Sequence, residues 1–123
     1  MSSKYPALFY QNLGKLFYAI SATDKSINEE EITTLKKIIQ NEWTKDPHLI
    51  NIELIFHWLN KDNASSEKCF QDFVVYKTEN NFLFSNQLKR LISHTAGAIA
   101  SSFSNRNKSE LIMLAQLELE LRK

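Results

Sequence analysis

The chain has 123 residues, 43% of them apolar, and 15 Lys and Arg against 14 Asp and Glu give a formal net charge of +1. That suits one globular domain with its own core, and it excludes both the basic footprint of a phosphate-backbone reader and an acidic tail. Only two glycines and two prolines are present, where average usage gives roughly eight or nine glycines, so turns are scarce and an all-α chain is expected.

No apolar run approaches the roughly 18 residues of a membrane span, and the start, Met1-Ser2-Ser3-Lys4-Tyr5-Pro6, lacks the apolar core of a signal peptide. Cys69 is the sole cysteine, which leaves no internal disulfide and no cysteine-rich zinc site. The expectation is a cytoplasmic protein without direct membrane insertion and without a nucleic-acid partner.

The first helix is expected to begin near Pro6, with Phe9, Leu13, Leu16, Phe17 and Ile20 on one buried stripe. Gly14 lies inside it at a cost of about 1 kcal/mol relative to alanine, which the close approach of another backbone would explain. Three signals place the start of the second helix at Asn28: a favoured N-cap, Glu31 three residues on as in a capping box, and Ile27 with Ile32 as a hydrophobic staple. Leu35, Ile38, Ile39 and Trp43 continue its apolar face, and the pattern stops at Thr44-Lys45-Asp46-Pro47.

A third helix, over about 49–60, has Ile52, Ile55, Phe56 and Leu59 on one face, with Leu54 and Trp58 off it. Ser65 or Ser66 caps a fourth, in which Phe70, Phe73, Val74 and Lys77 share a face flanked by Cys69 and Tyr76. Asn80-Asn81 ends that helix, and Phe82 and Phe84 are expected to pack a short connection. The fifth helix runs from a Ser85 cap to about Phe103, and its second half is rich in small residues that admit a close neighbour. The sixth opens at Asn107 with Glu110 three residues on. Its Leu111, Ile112, Met113, Leu114, Leu117, Leu119 and Leu121 point in nearly every direction, so it is expected to be buried on most sides.

Ala19 to Leu35 can be laid over Ala98 to Leu114 at a shift of about 80 positions, matching Asn28 with Asn107, Glu31 with Glu110, and Ile32 and Leu35 with Leu111 and Leu114. Both copies read as a helix end, a short turn, then Asn-x-x-Glu and an apolar helix. The expected architecture is one domain with a first helix pair over about 6–45, middle helices over about 46–84 and a second pair over about 85–123.

At this turn the chain resembles the TerB-like family, named after a bacterial tellurite-resistance protein, whose signature is Ala-x-Asp-Gly-x-Ile-x-x-x-Glu. The matching residues are Ala22, Asp24, Ile27 and Glu31; Lys25 stands where the family has glycine, and in the second copy Phe103 replaces the aspartate. The resemblance implies a bundle of about six helices with a pseudo-twofold repeat of helix pairs. It further implies a non-enzymatic protein of stress-response or membrane-associated assemblies, with metal binding at the acidic positions.

Two candidate sites follow. Asp24, Glu30 and Glu31 are the candidate ligands for a divalent cation, magnesium or weakly held calcium, although three glutamates in the first turn are also what the positive pole of a helix favours. A working EF-hand is excluded, because Glu29 stands where that loop needs glycine and Leu35 where it needs a bidentate glutamate. Leu54, Trp58, Tyr76 and Leu119 are the candidate surface for a protein partner or a second copy of the chain, since Trp and Tyr are common anchors. His48, His57 and His94 are scattered without ligand spacing, and Lys36-Lys37 and Lys89-Arg90 read as solvated pairs. No phosphate loop, nucleophile elbow or other catalytic constellation is present.

Overall fold

Pro6 opens the first helix from just outside it: its backbone is extended (φ −61°, ψ 154°) and α1 spans Ala7–Ser21. The computed structural model describes residues 5–23, 27–102 and 108–123. Among these, α1 is followed by α2 (Glu29–Glu42), α3 (Ile50–Lys61), α4 (Ser66–Glu79), a single 3-10 turn (Asn81–Leu83), α5 (Asn86–Ser101) and α6 (Lys108–Leu121). The architecture is all-α, a bundle of six helices.

Helix α1 is the axis of the bundle and packs against α3, α4, α5 and α6. The expected stripe of Phe9, Leu13, Leu16, Phe17 and Ile20 is fully buried, but burial extends round the helix to Tyr10, Asn12, Tyr18, Ala19 and Ser21. Two of the polar side chains on this extra arc are tied down as burial requires. Asn12 Nδ2 donates to the Leu8 carbonyl at 2.9 Å, and the Tyr18 hydroxyl donates to the Ala64 carbonyl at 2.7 Å. Ser21 Oγ is buried without a hydrogen-bond partner among the described residues, and nothing in the structure explains it.

Gly14 has the role its position implied. A Cβ built there would lie 2.8 Å from the Ile52 carbonyl oxygen and 2.9 Å from Ile55 Cβ, so the missing side chain is what lets α3 lie against α1. Gly97, in the small-residue half of α5, has nothing within 4 Å of a built Cβ, so close packing is not its reason.

Helix α2 starts at the expected capping box: Asn28 Oδ1 accepts from the Glu31 amide at 3.0 Å, and Glu31 Oε1 accepts from the Asn28 amide at 3.2 Å. Ile27 and Ile32 are both partly buried against the core. At the far end of α2, the Trp43 indole donates to Thr95 Oγ1 at 3.1 Å, and that hydroxyl donates to the Leu91 carbonyl at 2.8 Å, which fixes α2 to α5.

The break after α3 is a left-handed cap. Asn63 has φ 53°, the Ala64 amide donates to the Leu59 carbonyl at 3.0 Å, and the Asn63 amide donates to the Asn60 carbonyl at 3.2 Å. This is the paired bonding of a Schellman motif with asparagine in the position glycine usually takes. Ser65 then caps α4 by accepting from the Lys68 amide at 3.2 Å, while Ser66 Oγ donates to the Ala19 carbonyl at 2.8 Å and pins α4 to the end of α1. Ser85 caps α5 by accepting from the Leu88 amide at 3.1 Å. The expected helix end at Phe103 and cap at Asn107 lie outside the described residues.

Two expectations about burial are corrected. Helix α6 is not enclosed: Met113, Leu117 and Leu121 form one buried i, i+4 stripe, while Leu111, Ile112 and Leu119 are exposed. Burial on most sides, expected of α6, is found instead in α1, where Leu8 alone is an exposed large apolar residue. Phe82 does not pack the α4–α5 connection either, being 83% exposed, whereas Phe84 is buried and meets Phe9 and Phe73 with ring centroids 5.6 and 6.1 Å apart.

Helices α1 and α5 touch each other, α2 rests on α5, and α6 packs on both α5 and α1. The expected repeat of helix pairs is not matched by the principal contacts of α1, which are with α3 and α4 and have no counterpart on α5 among the described residues.

Candidate functional site

The acidic turn is described from Ile27 onward; Asp24 and Lys25 lie outside the described residues. Glu30 and Glu31 are consecutive on α2 and therefore about 100° apart around its axis. Glu31 turns inward, 4% exposed, with its carboxylate in the capping box. Glu30 and Glu29 face solvent. The matching glutamate of the second copy, Glu110, is also buried in the first turn of its helix. Among the described residues no group of three His, Cys, Asp or Glu side chains is placed to hold a metal ion.

Beside this turn lies a cleft of about 660 Å³, bounded by the end of α1, the α3–α4 connection, the start of α4 and one side of α6. Tyr18, Asn63, Ser66, Phe70, Met113 and Gln116 are among its lining residues, a mixture of small polar and apolar groups. Burial raises the Tyr18 hydroxyl above its ordinary value, with Cys69 adding to the effect. The Cys69 thiol is itself held above its ordinary value, first by burial and then by Asp72. Its thiolate is thus disfavoured, which is the reverse of what a nucleophilic cysteine needs. Nearby, Lys15 and Asp72 join α1 to α4 through a 3.2 Å ion pair.

The residues expected on an interaction surface divide into two groups. Leu54 and Trp58 are 57% and 63% exposed on α3, and Leu119 is 60% exposed on α6, which packs principally on α5 and α1. Tyr76 is corrected: it is buried, with its hydroxyl raised by that burial, and offers no surface. The sequence reading missed Ile50, which is 53% exposed. Ile50, Leu54 and Trp58 stand at i, i+4 and i+8 and so fall on one face of α3. The spacing was visible in the sequence, but Ile50 lay at the edge of the expected helix and was not counted with the other two.

Ile52 and Phe56 bury the opposite side of α3 against α1. The helix is therefore apolar on two faces, one covered and one bare. The bare stripe extends about 12 Å along the axis, at 1.5 Å per residue. Among the described residues no helix is long and apolar enough to cross a membrane.

Comparison of the chain with protein-family models, with curated proteins and with solved structures found no match.

Proposed function

We propose that this is a non-catalytic protein-interaction module that docks a separate protein through the outer face of α3. The observation that carries the reading is the Ile50–Leu54–Trp58 stripe, three large apolar side chains in helical register, each more than half exposed. Single exposed apolar residues are ordinary on a protein surface, but a contiguous apolar row marks a contact. Trp58 supplies the kind of anchor that dominates interface energetics. Three side chains cover much less than the roughly 800 Å² per partner of a standard interface, which favours a transient partner over permanent self-association. The TerB-like resemblance at Ala22, Asp24, Ile27 and Glu31 would place that partner in a bacterial stress-response or membrane-associated assembly.

The test uses the only two tryptophans, Trp43 buried and Trp58 exposed. In a Trp43→Phe background, a partner captured by the wild-type protein should shift Trp58 emission to the blue. The Leu54→Ser/Trp58→Ala double variant should lose that partner while its circular dichroism and melting stay those of the parent. A strict monomer that captures nothing, or capture unchanged by the double substitution, would overturn the proposal.

A further inference from the structure

A groove of about 590 Å³ runs between the N-terminal half of α5 and the C-terminal end of α6, away from α3. Lys89, Arg90 and His94 line it from α5, and Glu118, Leu121 and Arg122 line it from the other side. Three of the 15 Lys and Arg of the chain are gathered here against one of its 14 Asp and Glu. The groove thus carries +2, and the rest of the chain, with 12 cations against 13 carboxylates, carries −1. An almost neutral molecule has a local positive site.

Glu118 keeps its negative charge in the groove, and that charge is already counted in the +2. Glu118 accepts from the Ser93 hydroxyl, and His94 Nε2 lies 2.9 Å from Glu42. Neither Lys89, Arg90 nor Arg122 has an ion pair among the described residues. Lys89 and Arg90 also lie near the positive pole of α5, whose first turn carries no acidic residue, and this offsets the negative pole that α6 brings to the other side of the groove at Leu121. The buried Lys77 ammonium donates to the Lys123 main-chain oxygen at 2.9 Å. A solvated face accounts for single long cations reaching into water. It does not account for three cations without ion pairs among the described residues, two on α5 and one just beyond α6, bordering one concave surface with a single carboxylate.

We propose that this groove binds a small phosphate-bearing anion, held by the guanidinium groups of Arg90 and Arg122 with Lys89 as a point charge. Planar guanidinium donors match phosphate oxygens two at a time, whereas an ammonium supplies charge without that geometry. The volume is that of a small-molecule site. Among the described residues no Phe, Tyr or Trp lines the groove, and the His94 ring lies against Glu42, so the phosphate group is the part the groove is proposed to recognise.

The experiment follows amide shifts while the labelled protein is titrated with pyrophosphate and, separately, with glycerol 2-phosphate, sodium chloride holding ionic strength constant. Saturable shifts confined to Asn86–His94 and Glu118–Arg122 are expected, and the tighter of the two probes tells a diphosphate from a monoester ligand. The Arg90→Gln/Arg122→Gln variant should weaken the response at least tenfold with unchanged melting. Lys36→Gln/Lys37→Gln, a control pair on α2, should leave it intact. Linear shifts matched by sodium chloride alone, or saturation that survives the double arginine substitution, would overturn the assignment. The groove shares no residue with the α3 stripe, so the two proposals stand or fall separately.

Discussion

At Gly14 a hydrogen in place of a methyl group sets the distance between two helices. The Ile52 carbonyl is backbone and cannot swing aside as a flexible side chain could, so a Cβ 2.8 Å away forces α3 outward. Overpacking of this kind costs about 1–3 kcal/mol, against roughly 1 kcal/mol that alanine returns in helix propensity. Gly14→Ala is therefore expected to lower unfolding free energy by up to about 2 kcal/mol in urea titrations. Gly97→Ala meets no neighbour and should raise it by about 0.5–1 kcal/mol. Lys77 gives a pH-dependent counterpart. Burial, reinforced by the like charge of Lys89, holds its ammonium below the ordinary 10.5, with Glu120 partly opposing the shift. Between the lowered native value and 10.5 the unfolded chain binds more protons at this site than the folded one, so the contribution of Lys77 to stability rises with pH. Lys77→Met removes that slope. Relative to wild type the variant should be most favoured near neutral pH, and its advantage should shrink as pH approaches 10.5; denaturation compared across that range is the measurement.

At the scale of elements, the helix boundaries rest on a few side chains whose chemistry is local. Asn28 satisfies an otherwise orphaned amide at the start of α2, and Asn28→Ala should cost about 1 kcal/mol by thermal or chemical unfolding. Because such caps act within four residues, they were readable in advance: Asn28 with Glu31, Ser85, and the Ser65–Ser66 pair all stand where they were expected. The burial of whole helices was less readable. Periodicity reports which side of a helix is apolar, and not how many neighbours surround it. The polar and aromatic residues of α1 outside its stripe, Asn12 and Tyr18 among them, gave no apolar signal, and their burial became evident only with partners such as the Ala64 carbonyl. The leucines of α6 gave the opposite error, since Leu119 is apolar and yet exposed. The acidic turn was legible as a helix start, while its other proposed ligand, Asp24, lies outside the described residues.

For the whole molecule the central position of α1 decides how stability is shared. Four of the other five helices pack on it, and α2 packs chiefly on α5 while the Trp43 ring at its end meets Phe17 of α1. Loss of any pair exposes part of α1, so equilibrium unfolding is expected to be a single transition. Emission of the buried Trp43 and helical circular dichroism should fall along one curve; two separated transitions would show that the helix pairs unfold independently. The same arrangement has a consequence during synthesis. Eleven of the fifteen residues of α1 are buried in the finished fold, yet every helix that buries them follows it in the chain. At about 5–20 residues per second, the 40 residues from Ser21 to the end of α3 at Lys61 take roughly 2–8 s to be made. Until then the ribosome carries an uncovered apolar rod, and the α5 and α6 sides stay bare longer still. This fold is therefore expected to need whatever shields nascent chains, and the need comes from the order of its helices rather than from its final stability.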